Sequence, residues 1–146
     1  VPLIPEADFE YDFAAVDIRC RASTLQSWNA QLFRNASIKG LPEEISHGYI
    51  QSYAFGAARL FRIGAAHAVI MHRAGGARAP VTLLLQLNGQ STARQSQREC
   101  HLKGADFTFV DSSVPFEFEA SGDHELILVQ MPRSVVFSRH PNIRDI

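Results

Sequence analysis

The side chains with the clearest potential for metal chemistry are the six histidines of the chain. A metal site in a β-sheet protein commonly draws two ligands from an H-x-H pair, because residues two apart project from the same face of a strand. The sequence contains no such pair, and His67 and His72 lie five residues apart, on opposite faces of one strand. The full set is His47, His67, His72, His101, His124 and His140. Their spacing predicts no metal site and no metal cofactor.

Motifs for nucleophilic catalysis and phosphate binding are also missing from the sequence. Cys100 directly precedes His101, and adjacent residues of a strand face opposite ways, so the two cannot act as nucleophile and base. There is no Gly-x-Ser-x-Gly and no glycine-rich phosphate loop. Glu117 and Glu119 share one face of a predicted strand, opposite to the neighbouring phenylalanines, which indicates acids that face solvent. We therefore predict no catalytic residues and a protein that is not an enzyme.

Composition narrows the remaining classes of function. The 146 residues suit one domain, and 46% hydrophobic with 20% charged residues is typical of a folded globular protein. A domain that binds DNA by itself usually carries a basic excess, whereas the formal net charge here is -1. Without a signal peptide or a membrane-length apolar run, we expect a cytoplasmic protein with no membrane partner, in which Cys20 and Cys100 are free thiols.

The chain changes from helical to strand periodicity at about residue 45. Ser23 or Thr24 is predicted to cap a helix, because apolar residues follow at helical spacing at Leu25, Trp28 and Leu32. Eight short segments bounded by turn residues come next, which is typical of an all-β sandwich or barrel. They are GYIQSYAF, AARLFRIGA, HAVIMHRA, VTLLLQLNG, QSTARQSQRECHL, DFTFVDS, PFEFEA and HELILVQMP.

Local chemistry predicts where the elements end. The helix is expected to end before Gly40, and residues 73–80 form a glycine-rich loop. Asn88-Gly89 is predicted to be a tight hairpin turn, and residues 121–123 (Ser-Gly-Asp) a second turn. Pro132 is predicted to begin a short C-terminal helix, which His140-Pro141 then interrupts.

The order of these segments resembles the sensor domain of AraC-type bacterial transcriptional regulators. The resemblance runs from about Trp28 to Arg133 and rests on the strand pair GYIQSYAFGAARLFRI, the leucine-rich VTLLLQLNGQSTARQ, the corner LKGADFTFVDSSVPFEFE and the closing HELILVQMPRSVV. It implies a mainly β, cupin-like jelly-roll barrel of antiparallel strands. The implied division is an N-terminal arm (1–22), an effector-binding domain with its leading helix (23–133), and the start of a linker (134–146) to a DNA-binding domain that this chain lacks.

The resemblance also implies a function. A small organic effector, for which we favour a carboxylate, binds in the barrel of a homodimer and modulates DNA binding through the attached domain. The candidate ligand-binding residues are Arg59, Phe61, His72, Gln86, Phe107 and Phe116. The alternatives are an arginine at the barrel rim, polar side chains satisfied by the backbone, and phenylalanines that are plain core. Two other functions stay open here: a small cupin-type metalloenzyme, and an interaction module whose barrel is filled by side chains.

Overall fold

The strands of the chain form an antiparallel sheet that two helices flank in the sequence. The computed structural model describes residues 7–33, 35–39, 45, 47–65 and 67–142. The helices are α1 (Arg21–Leu32) and α2 (Arg133–Arg139). The strands are β1 (Phe9–Asp12), β2 (Ala36–Lys39), β3 (Gly48–Phe55), β4 (Ala58–Ala65), β5 (Ala68–His72), β6 (Val81–Gln95), β7 (Arg98–Leu102), β8 (Phe107–Asp111) and β9 (Phe116–Met131). The predicted mainly β fold with an N-terminal helix and a short C-terminal helix is confirmed.

Some predictions concern residues outside the described ranges. These are the first six residues of the N-terminal arm, the last four residues of the linker, and Gly40, before which the helix was expected to end. Within the described residues, the helix ends at Leu32. The division into arm, domain and linker stays a prediction.

The two longest strands, β6 and β9, pair antiparallel along their whole lengths. The register shifts on either side of Asn88, which marks a β-bulge in the middle of β6. The predicted hairpin at Asn88-Gly89 is therefore wrong, and so is the predicted turn at 121–123, because both segments lie within continuous strands. Gly89 has a φ of +78°. A glycine at positive φ suits a bulge as well as a two-residue turn, so local sequence does not separate the two.

A hairpin lies instead inside the segment QSTARQSQRECHL, which was predicted to be one strand. Ser96 and Gln97 have φ values of +49° and +66° and join β6 to β7. Two consecutive residues at positive φ are the geometry of a type I′ turn, which usually carries asparagine or glycine. Because neither is present, the sequence carries no signal for this turn.

The bends in β6 and β9 divide the sheet into two layers that face each other. One layer has the strand order β1-β3-β4-β9-β6-β8, and the other runs β2-β5-β9-β6-β7. Ala93 and Phe118 from the second layer meet Leu84, Val110 and Leu126 from the first in one buried cluster. This interior cluster holds the layers together, because apolar area removed from water stabilises the fold by about 25 cal/mol per Å².

Helix α1 covers a second apolar cluster at the β1 end of the first layer. Trp28 is only 8% exposed, and the rings of Tyr11 and Phe13 stack on it at 4.5 Å and 5.0 Å between centroids. The interpretation of Trp28 as a core residue is thus confirmed. The predicted cap is wrong, because the helix begins at Arg21, directly after a 3-10 turn, and its N-cap Cys20 makes no side-chain bond.

The outer face of the first layer carries a polar cluster around a glycine. The ring of Tyr49 lies over Gly64, where an added β-carbon would come within 2.3 Å of it. The Tyr49 hydroxyl donates to Glu125, which also accepts bonds of 3.1 Å and 3.2 Å from Arg62. Burial and the bond to Glu125 together raise the pKa of Tyr49 to about 12.

We expect Gly89→Ala to destabilise the fold more than Gly122→Ala. Both glycines have positive φ, +78° and +75°, and a β-carbon there costs roughly 1–2 kcal/mol. Only at Gly89 does the added carbon also meet backbone, 2.4 Å from the Asp123 carbonyl oxygen, whereas at Gly122 nothing lies within 4 Å. Urea denaturation should show a loss of about 1 kcal/mol for Gly122→Ala and about 3 kcal/mol or more for Gly89→Ala. Equal losses would contradict the close approach of the two bends.

Alkaline titration followed by ultraviolet absorbance should resolve one of the three tyrosines ionising at about pH 12. The folded-state pKa of Tyr49 is raised from an ordinary 10.0 to about 12, so the folded state holds this proton more tightly than the unfolded state. The resulting stabilisation is fully present below pH 10 and is lost as the pH rises from 10 through 12. Tyr49→Phe should abolish the late step. Glu125→Gln should move it only part of the way down, since burial is the larger cause. A late step that persists in Tyr49→Phe would overturn the assignment.

Candidate functional site

An opening of about 570 Å³ lies between β7 and β8, and we call it the edge cleft. Among the described strands, β7 and β8 each pair with β6 alone, so each leaves one edge unpaired and the two layers separate between them. The floor of the cleft includes Ala93 and Val110, which belong to the interior cluster. Its walls include Gln95, Arg98, Cys100, Thr108, Asp111 and Phe137.

Gln95 joins the two layers at one end of the edge cleft. Its Nε2 donates to the carbonyl oxygen of Asp111 at 2.7 Å, and the backbone N–H of Asp111 donates to its Oε1 at 3.0 Å. Nε2 also lies 3.2 Å from the carbonyl oxygen of Val114. The Gln95 amide thus bonds the backbone of β8 much as a neighbouring strand would, and it ties the β6–β7 hairpin to the opposite layer.

The carboxylate of Asp111 continues this connection to α2. Its Oδ1 accepts bonds from the backbone N–H of Ser113 at 2.9 Å and from the Ser113 hydroxyl at 2.7 Å, and Arg133 donates to the same oxygen. Burial alone would raise the pKa of Asp111, but the bonds from Ser113 and Arg133 outweigh burial and lower it. Asp111 is therefore ionised at neutral pH and forms an ion pair with the first residue of α2.

A second opening, of about 400 Å³, lies beside the β6–β7 hairpin, and we call it the side cleft. His72 and Phe116 line it with their rings 4.6 Å apart, and Nε2 of His72 lies 3.1 Å from the carbonyl oxygen of Ser112. Burial lowers the pKa of His72, so its ring is neutral at pH 7. The side cleft shares Gln95 and Arg98 with the edge cleft, so the hairpin separates the two openings.

The structure does not bring the six predicted ligand-binding residues together. His72 and Phe116 line the side cleft, and none of the six lines the edge cleft. Phe61 is fully buried against Phe33, with ring centroids 4.8 Å apart. Arg59 is exposed beyond Phe61, where its Nε donates to the hydroxyl of Ser52 at 3.0 Å. Its placement matches the alternative of an arginine at the rim, while the binding role of these residues stays a prediction.

Gln86 is buried at 1% exposure, but its polar atoms are bonded within the fold. Its Nε2 donates to the carbonyl oxygen of Asn88 at 2.6 Å, and its Oε1 accepts from the hydroxyl of Ser91 at 2.5 Å. These two bonds span the bulge of β6 from one side to the other. The side chain therefore supports the bend of the strand. This matches the alternative in which a buried polar side chain forms its hydrogen bonds within the protein.

The four phenylalanines of β8 and the start of β9 do not share one face of the fold. Phe118 is buried and Phe116 packs beside it against the interior cluster, whereas Phe107 is 61% exposed, with Phe109 edge-on to it at 6.2 Å. The cause is register: Phe107 pairs with Leu85, whose neighbours in β6 face inward, so Leu85 and Phe107 both face outward. The alternation of residues within one strand does not reveal which of its two faces points inward.

Sequence reasoning missed the residues that build the edge cleft, namely Gln95, Arg98, Cys100, Thr108, Asp111 and Phe137. The alternation of Ser91, Ala93 and Gln95 places all three on the inner face of β6, and this was the available signal. This alternation does not predict the cleft unless the hairpin after Gln95 is known, because that hairpin places β7 opposite β8. The cleft is a product of strand pairing rather than of a motif.

The acidic residues of β9 face outward, as predicted. Arg94 donates to Glu117 at 2.6 Å and to Glu119 at 3.1 Å, and it also bonds Glu99 at 2.6 Å. These bonds raise the pKa of Arg94, and Arg94 in turn lowers the pKa of Glu99.

The described residues hold no group of three or more histidine, cysteine or acidic side chains placed to bind a metal ion. No helix within the described ranges is long and apolar enough to cross a membrane.

Comparison with known proteins places this geometry in a family. A model of the AraC-binding-like domain matches residues 25–144, and no curated protein sequence matches the chain. The AraC-like transcriptional activator CuxR superposes with a TM-score of 0.75 and 15% identity, over 93% of this chain and 51% of its own. An HTH_3 family transcriptional regulator from Vibrio cholerae gives a TM-score of 0.52 and 12% identity, over 57% of this chain and 50% of its own.

A predicted oxalate decarboxylase from Thermotoga maritima has a TM-score of 0.50 and 16% identity, over 65% of this chain and 84% of its own. At these identities the structural matches show the fold alone, and the predicted cupin-like architecture is confirmed. The chain spans about half the length of the two regulators it matches. Because the family model covers most of the sequence, the chain belongs to the AraC-binding-like domain family, the cupin-like N-terminal domains of AraC-type transcriptional regulators.

Proposed function

We propose that this domain senses a small organic effector for an AraC-type bacterial transcriptional regulator, and that the effector occupies the edge cleft. The observation that carries the proposal is the cleft itself. Ligand sites are usually concave openings of about 300–1,000 Å³, mostly apolar and with a few polar groups that set orientation. The edge cleft has about 570 Å³, an apolar floor of Ala93 and Val110, and polar walls that include Gln95 and Thr108.

The same observation favours a sensor over a filled interaction module. Elsewhere the interior is closely packed: Phe61 is 0% exposed, Leu102 is 2% exposed and Phe118 is 4% exposed. A barrel filled throughout by its own side chains would have no room for a ligand, and the edge cleft is the place where that packing stops. We accordingly propose a ligand-binding domain rather than a filled interaction module.

The charges around the edge cleft suggest how it would hold a carboxylate. The two acidic groups that line it, Glu99 and Asp111, form ion pairs with Arg94 and Arg133 on the surrounding elements. Arg98 is the cation of the wall, and a guanidinium binds carboxylates through paired charge-assisted hydrogen bonds. In this proposal Arg98 takes the role that the sequence assigned to Arg59, which lies outside both clefts.

The wider role follows from the family and belongs to the same proposal. The domain acts in the cytoplasm as a homodimer, and it contacts DNA through a separate DNA-binding domain of the regulator. Effector binding changes transcription only when the effector prefers one of two arrangements of these parts, because a ligand with equal affinity for both shifts neither. Sedimentation of the purified chain would test the dimer directly.

Filling the edge cleft should abolish effector binding while leaving the fold intact. The probe is a panel of small carboxylates, sugars and aromatic acids, screened by thermal shift against the wild-type chain. A ligand at about 100 times its Kd stabilises a protein by about 2.7 kcal/mol, which for this size means a rise in Tm of about 5 °C or more. We expect Thr108→Phe, which places a ring in the cleft, to remove that rise.

Thr92→Phe is the matched control for this experiment. Thr92 lies on the outer face of β6, where its hydroxyl is 3.0 Å from Nδ1 of His101, and it lines neither cleft. The rise in Tm should persist in this variant. A panel that shifts nothing, or a shift that survives Thr108→Phe, would refute the edge cleft as the effector site.

Two arginine variants separate the proposed carboxylate site from the one expected from the sequence. For a carboxylate that binds the wild-type chain, Arg98→Gln should weaken the affinity by about tenfold, the equivalent of one charge-assisted hydrogen bond. Arg59→Gln should change the affinity by less than about twofold, because Arg59 lies outside the edge cleft. Isothermal titration calorimetry measures both. The reverse order of effects would restore Arg59 as the ligand-binding residue.

A further inference from the structure

Three separate elements meet at one end of the edge cleft. The β6–β7 hairpin contributes Gln95, the end of β8 contributes Asp111, and α2 contributes Phe137. A molecule in the cleft therefore touches the C-terminal helix as well as the two sheet layers. This helix follows β9 after a single residue, Pro132.

Side-chain bonds connect the same three elements in series. Gln95 bonds both backbone polar groups of Asp111, at 2.7 Å and 3.0 Å. The carboxylate of Asp111 then accepts a bond from Arg133. The guanidinium of Arg133 lies 5.0 Å from the centroid of the Phe137 ring, one turn further along α2. The series begins and ends at side chains that line the cleft.

Helix α2 depends on its contacts with the domain to stay folded. It spans 7 residues, and an isolated helix of that length is not stable in water. Val136 is its buried residue, Val135 is 48% exposed, and its N-cap Pro132 makes no side-chain bond. Nε of Arg133 is buried without a hydrogen-bond partner, which costs free energy in the docked position. The docked position of α2 is thus only weakly favoured, and a modest change at the cleft is able to release the helix.

We propose that Gln95, Asp111 and Arg133 form a relay through which occupancy of the edge cleft sets how firmly α2 is docked on the domain. This inference rests on the proposed function, and it adds how effector binding in the cleft is transmitted to α2. The two states are α2 docked and α2 released. An occupant that separates the hairpin from Phe137 favours the released state, and release presents the chain beyond α2 differently.

The natural cysteines provide a test that needs no knowledge of the effector. Cys100 lines the edge cleft, and Cys20 is exposed on α1's N-terminal side. In a Cys20→Ser chain, Cys100 is the sole cysteine. N-ethylmaleimide adds to its thiol without a leaving group and places a small ring in the cleft. Hydrogen exchange of the α2 amides is then compared before and after this modification.

We expect alkylation of Cys100 to accelerate exchange at the amides of Val136 and His140, which bond to Pro132 and Val136 in the docked helix. Allosteric couplings are typically worth a factor of about 5 to 150, so the expected change is at least about fivefold. Asp111→Asn should accelerate exchange without alkylation, and alkylation should then add little. Arg133→Ala breaks the same ion pair from the helix side and should behave alike, which guards against a folding defect of either variant.

Glu125→Gln is the control, because it breaks an arginine–carboxylate pair on the outer face, away from both clefts. It should leave exchange in α2 and its response to alkylation unchanged. If Cys100 is alkylated and exchange in α2 does not change, the relay is wrong while the effector site still stands. If Cys100 resists alkylation in the folded chain, the cleft is closed to small molecules and both proposals fall.

Discussion

The antiparallel pairing of β6 with β9 is the constraint on which the rest of the domain depends. Each strand runs through both layers, so a bend in one requires a bend in the other at the same level. Gly89 and the backbone of Asp123 approach there more closely than a β-carbon allows. The register shifts once by an extra residue in β6 at Asn88 and once by extra residues in β9 after Ser121, and Gln86 bonds across the bulge in β6. The two layers, their shared apolar cluster and the order of the remaining strands all follow from this one paired bend.

The edge cleft is a consequence of the same arrangement. Because β6 belongs to both layers, β7 pairs with one half of it and β8 with the other, and no described strand bridges the two. The interior is therefore open between these two strands. β9 ends at Met131, which pairs with Val81 of β6, and Val81 pairs on its other side with Asp111 of β8. Helix α2 follows this end of β9 and places Phe137 at the opening. The edge cleft and α2 are thus neighbours for topological reasons.

The placement of charge separates the inside of the domain from its outside. Arg94 with its three glutamates, and Arg62 with Glu125, lie on outer faces where water screens them, and such exposed pairs contribute little to stability. The interior holds neutral polar groups such as Gln86 and Ser91, bonded to each other. The fold is shared with a predicted oxalate decarboxylase, so architecture alone does not decide between binding and catalysis. That decision lies with the side chains around the cleft.

The sequence by itself determined the kinds of element and, for some, the face that is buried. Apolar spacing identified α1 with Trp28 in the core, and the alternation of Phe116 to Glu119 correctly put the acids outside. Tertiary structure decided everything that depends on which strand lies next to which. Gly89 became a bulge, Ser96-Gln97 became a hairpin, and Phe107 turned outward because its register against Leu85 required it. The physical reason is the two-residue period of a strand: shifting a pairing by one residue exchanges its two faces, and only long-range contacts set that shift.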